Sequence, residues 1–148
     1  EGMLGLRVIR ALEDPAEKGN AGTAASGQYL SSEGITGKAV WGTRGVWTKL
    51  SGQVNGKDVT VAILDAPGNP GYPTYWHARG YGLYAANPLG QAALSNNKET
   101  LNFAIREGTP ATFRYRVLLL DGNPSAAEMQ KYAAEWASTT SASSASNP

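Results

Sequence analysis

"RGVWTKLSGQVNGKDVTVAILD", from Arg44 to Asp65, reads as a β-hairpin and sets the class of the fold. Val46, Thr48 and Leu50 alternate on the way in, and Val59, Val61 and Ile63 on the way out. Between them Asn55-Gly56 supplies two residues that tolerate positive φ, as a tight two-residue turn requires. Upstream, Leu4, Leu6 and Val8 alternate with Gly5, Arg7 and Ile9, the pattern of a first strand. The chain opens on "EGMLGLRV", with neither an initiator methionine nor a polar lead-in, and so reads as entered in mid-strand, as a processed or fragmentary chain would be. The stretch "DPAEKGNAGTAASGQYLSSEGITG" is small and polar and is expected to be loop.

Downstream, "ETLNFAIREG" places Leu101, Phe103 and Ile105 on one face. "TPATFRYRVLLLDG" places Phe113, Tyr115, Val117 and Leu119 on one face, with Arg114 and Arg116 on an opposite, solvated one. The two runs are expected to pair as a second hairpin. Then the period changes. Asn123 and Pro124 suit a helix start, Ser125 and Glu128 have capping-box spacing, and Met129, Tyr132, Ala133 and Trp136 form one apolar stripe. From Ser138 to Pro148 the chain is serine- and alanine-rich, a tail predicted to be disordered because it has too little to bury. The expectation is a mostly β chain: one antiparallel, jelly-roll-like β-sandwich domain over residues 1–137 with one C-terminal α-helix.

Composition narrows the function. The 148 residues are 41% hydrophobic and 17% charged, with a formal net charge of +1 and basic and acidic residues interspersed. That argues against a nucleic-acid partner bound through a basic face. No apolar stretch approaches the roughly 20 residues of a membrane span. There are no cysteines, which excludes disulfides, thiolate nucleophiles and cysteine-held metals. With one histidine besides, no metal ligand set and no cofactor is expected.

The chemistry gathers in "GYPTYWHARGYGLYAANPLG", Gly71 to Gly90, which is expected to be a loop lining a pocket, with only short strand possibilities around Tyr81 to Ala85. His77, the chain's one histidine, is the natural general acid or base, with Asp65 and Arg44 to orient it or stabilise charge. Arg79 supplies forked donors, and Tyr72, Trp76, Tyr81 and Asn87 supply flat faces and a polar amide, a combination that suits a sugar ring. Plainer readings stand beside these. A lone histidine is more often a hydrogen-bonded structural residue, Asp65 before "APGNP" reads equally as a turn cap, and Trp41, Trp47 and Tyr84 read as packing.

"EGMLGLRV", "GTRGVWTKLSG", "VAILDAPGNPGYPTYWHARGYGLYAANPLG" and "FRYRVLLLDG", in this order, resemble the DUF6807 family, also labelled methane oxygenase PmoA-like. The resemblance covers most of Glu1 to Ala137 and implies a β-sandwich from bacteria, exported or periplasmic in some members, alongside carbohydrate-processing enzymes. It places Arg44, His77, Arg79 and Asn87 in a pocket without assigning their roles. It also implies a longer domain of which this chain is the C-terminal part, so that association with the missing half or with a second copy is expected. The oxygenase label implies a redox metal held by several nitrogen or oxygen ligands, which one histidine is not expected to supply. The functional expectation is therefore a carbohydrate-related domain: a sugar-processing enzyme, or else a non-catalytic binding or structural unit.

Overall fold

The computed structural model describes residues 2–144. It contains two antiparallel sheets and a C-terminal helix, the sandwich class expected. One sheet has three strands in the order β1 (Leu4–Arg7), β6 (Leu83–Ala86), β5 (Trp76–Ala78). The other has four, in the order β2 (Gln28–Ser31), β3 (Trp47–Val54), β4 (Lys57–Asp65), β7 (Tyr115–Asp121). A one-turn helix α1 (Gln91–Leu94) follows β6, and α2 (Ala126–Ser144) closes the chain.

The β3–β4 hairpin forms in the register its turn dictates. Val54 faces Lys57, and Asn55 and Gly56 have φ of 52° and 74°, the positive values a two-residue turn needs at both positions. Period-2 alternation then divides the larger sheet between two cores. Leu50 of β3 and Ile63 of β4 face the small sheet, where they meet Trp76, Ala78, Tyr84 and Ala86. Trp47, Ala62 and Leu64 face the other way, under Met129, Tyr132, Ala133 and Trp136 of α2. Tyr84 pins the sheets together: its hydroxyl accepts from the amide of Ile63 at 3.1 Å and donates to the carbonyl of Thr48, two residues opposite each other in β3–β4.

Several expectations change. The glycine-punctuated stretch from Gly71 to Gly90 is no simple loop, because its middle is the β5–β6 hairpin of the small sheet. The turn runs Arg79–Gly82, where Gly82 takes φ +88°. The second predicted hairpin does not form, since residues 101–106 make no strand and β7 pairs instead with β4. The faces of β7 are also reversed: Leu118 and Leu120 lie under α2, while Val117 and Leu119 are 40% and 77% exposed, because the three-stranded sheet does not extend over them. Arg116 is no free-standing solvated side chain, for it stacks on Trp136 at 4.7 Å and pairs with Glu135 at 3.0 Å. Within the polar stretch expected to be loop, Gln28–Ser31 pairs with β3.

Helix α2 begins after Ser125, not at Asn123. The capping box is made as its spacing predicts, with Glu128 Oε2 accepting from the Ser125 amide and hydroxyl at 2.8 Å each. The helix passes the expected boundary at Ser138 and runs to Ser144. Ser138, Thr139 and Thr140 donate their hydroxyls back to carbonyls of Glu135 and Trp136, a bonding that lets such residues sit in a helix. The last four residues of the predicted tail, 145–148, lie outside the described residues.

Candidate functional site

Strand β5 alternates its side chains between the inter-sheet core and the outer face of the small sheet. Trp76 and Ala78 point inward, so Tyr75, His77 and Arg79 lie on the outer side. The pairing brings Ala85 and Gly5 alongside His77, and Leu83 and Arg7 alongside Arg79. Asn87 sits next to Tyr75, its amide donating to the Tyr75 carbonyl at 2.8 Å. Beyond β5, the segment from Gly42 to Gly45 adds backbone hydrogen bonds to Thr74 and Trp76, and Arg44 pairs with Tyr75 in an isolated bridge. Arg44, His77, Arg79 and Asn87 thus share one face.

Their side chains are engaged with two separate sets of partners. Arg79 donates from Nε to His77 Nε2 at 3.1 Å, and its guanidinium lies 4.7 Å over the Trp41 ring. Trp41 meets the imidazole edge-to-face at 6.3 Å. His77 is only 7% exposed and accepts at Nε2, so that nitrogen is committed to Arg79 while the bond holds.

Arg44 is committed elsewhere. It donates to the carbonyls of Pro73 (2.9 Å) and Gly71 (3.0 Å), forms a 2.6 Å ion pair with Glu99, and lies over the Tyr75 ring at 5.3 Å. Its guanidinium therefore holds the 71–73 segment against the sheet.

Asp65 ends β4 inside the molecule, 4% exposed. Its carboxylate accepts from Asn69 Nδ2 at 2.6 Å and from the Thr74 amide at 2.8 Å. Asn69 in turn exchanges two hydrogen bonds with the backbone of Arg114, so the carboxylate closes the loop from 66 to 74 and ties it to β7. Burial lifts the Asp65 pKa to about 6, against the pull of these hydrogen bonds and of the Arg44 charge.

The remaining expected residues divide. Trp76 is fully buried against Tyr84 and offers a ligand no surface. Tyr72 is half-buried beside the Arg44 clamp, and burial raises its pKa. Tyr81 is 43% exposed in the β5–β6 turn, with the Arg7 guanidinium 5.5 Å over its ring. The Asn87 side chain caps the turn after β6 by accepting from the Gly90 amide at 2.9 Å. Trp41, read from sequence as packing, joins the His77–Arg79 pair. It reaches them through the bridge between its segment and β5, which local spacing does not encode.

Among the described residues no group of three or more His, Cys, Asp or Glu side chains is placed to hold a metal ion. The redox metal implied by the oxygenase label thus finds no fitting donor set there. Among the described residues no helix is long and apolar enough to cross a membrane.

No curated protein and no solved structure matches the chain. Residues 1–134 match the profile of DUF6807, a family of unknown function, and the chain belongs to that family.

Proposed function

We propose that the chain is a non-catalytic carbohydrate-binding domain that takes its ligand on the outer face of the three-stranded sheet. One observation carries the reading: Trp41, Arg79 and His77 are locked into a single unit, a partly buried aromatic ring beside a fixed forked donor. A sugar offers C–H faces to the ring and a rim of hydroxyls to the fork, and donors held in place lose little freedom on binding. Tyr81 and Arg7 continue this surface across the turn. Catalysis is disfavoured because Asp65 braces a buried loop, Arg44 clamps carbonyls and His77 Nε2 is engaged, leaving no acid–base pair around a common point.

The test is calorimetric titration with mono- and disaccharides, with a parallel assay for sugar consumption. Binding weakened about tenfold by Trp41→Ala and by Arg79→Ala, without turnover, is expected. Absence of binding by every sugar, or turnover abolished by His77→Ala, would sink the reading.

A second reading, a structural unit that completes itself against another chain, is favoured by the exposure of Val117 and Leu119. They lie on β7, whose outer edge pairs with no strand among the described residues. Sedimentation over a concentration series should show association in the native chain and a monomer for Leu119→Lys. A native monomer throughout would dismiss this reading.

A further inference from the structure

The helix side of the larger sheet changes character along β3. Trp47 lies under α2, but Lys49, Ser51 and Gln53, next on the same face, continue past the start of the helix. Gln28 and Leu30 of β2 stand opposite Ser51 and Lys49, and Asp58 of β4 stands opposite Gln53. Together with Thr36 and Asn123 these residues bound a hollow of about 360 Å³. That lies toward the lower end of small-molecule sites, about 300–1,000 Å³.

The hollow offers both hydrogen-bond donors and acceptors. Thr60 gives its hydroxyl proton to the Gly122 carbonyl at 2.8 Å, so in the 2.8 Å contact with Ser51 it is Ser51 that donates. The Ser51 oxygen therefore keeps acceptor sites. Lys49 Nζ donates to Asn123 Oδ1 and to the Pro124 carbonyl, which leaves a third N–H on a group only 5% exposed. Gln53 donates one N–H to Asp58 at 3.0 Å and keeps its carbonyl and its other N–H. Donors and acceptors alternate around the cavity, as a ligand made of hydroxyl groups requires. The charges balance, with Lys49 offset by the field of Glu128 and by Asp58 on the wall.

We propose that this hollow is a separate binding site for a neutral polyhydroxylated molecule about the size of one sugar ring, with Lys49 and Ser51 at its floor and Gln53 on its wall. It lies on the helix side of the larger sheet, whereas Trp41 packs on His77 and Arg79 of the smaller one, and it does not depend on that surface. A ligand hydroxyl accepts from Lys49 and donates to Ser51, and the Gln53 amide takes a neighbouring hydroxyl in either sense.

An amide-resolved NMR titration of the full chain with glucose, myo-inositol and glucuronate tests this. Saturable shifts are expected with the two neutral probes at the Gln53 and Asn123 side-chain amides and the Ser51 and Gly52 backbone amides. Each of Ser51→Ala and Gln53→Ala should weaken binding about tenfold. The Gln53 change leaves the Lys49 tie to the helix start intact, so it reads the site apart from folding. Three outcomes would each overturn the assignment: no saturable shift at these amides with either neutral probe, tighter binding of glucuronate than of both, or an affinity unchanged in both variants. Shifts confined to the Trp41 indole would likewise overturn it, while leaving the outer-face reading standing.

Discussion

Asp65→Ala is expected to lower the unfolding free energy by about 2–3 kcal/mol, read by urea denaturation at neutral pH. The substitution takes the acceptor from the buried Thr74 amide and from Asn69 Nδ2, and it loosens the loop that Asn69 ties to Arg114. A loss under about 0.5 kcal/mol, the range of a featureless surface change, would contradict that bracing role. The carboxyl also leaves a mark in pH. Burial raises it from the ordinary 3.8 to about 6, so the folded chain holds this proton more tightly than the unfolded chain. Its contribution to stability is full below about pH 4, falls as the pH rises toward about 6, and is flat above, a total of up to about 3 kcal/mol. Other carboxylates titrate in the same window and some act in the opposite sense, as Glu128 does, its pKa lowered by its bonds to Ser125. The informative quantity is therefore the difference between the native chain and Asp65→Asn. An Asp65→Asn curve parallel to the native one from pH 4 to 7 would refute the assignment.

Tyr84→Phe should cost about 2 kcal/mol although it removes a single oxygen atom. That oxygen spans the two sheets, accepting from Ile63 and donating to Thr48 in a fully buried setting. Phenylalanine keeps the ring and its edge contact with Tyr29 at 5.2 Å, so the packing survives and only the bridge is lost. Thermal melts of native and variant protein measure the difference. Equal midpoints would mean that the opposed backbone groups of β3 and β4 satisfy each other without the hydroxyl.

The β3–β4 hairpin and the helical stripe could be read in the sequence because each carries its own period and its own turn or cap residues. Strand β5 could not, since Trp76–Ala78 is too short for alternation to stand out among tyrosines and glycines. Alternation on β7 separated its two faces correctly but not which one is covered. That depends on how far the small sheet extends, a property of the whole fold. His77 and Arg79, two residues apart, share a face as soon as β5 is recognised. Trp41 comes from a segment some thirty-five residues away and meets them only through tertiary pairing. Asp65 makes the turn-capping bonds that one of its two readings describes, because a carboxylate ahead of a proline- and glycine-rich turn finds amide donors close by.

The larger sheet serves two cores at once, and its dependence on them is unequal. Loss of α2 would uncover Trp47, Ala62 and Leu64 while leaving intact the core between the sheets, with Tyr84 still bonded across it. Loss of the small sheet would remove the partners of Leu50 and Ile63 and the hydroxyl bridge together. The terminal helix is thus an outer cover added to a β unit that already has a core of its own.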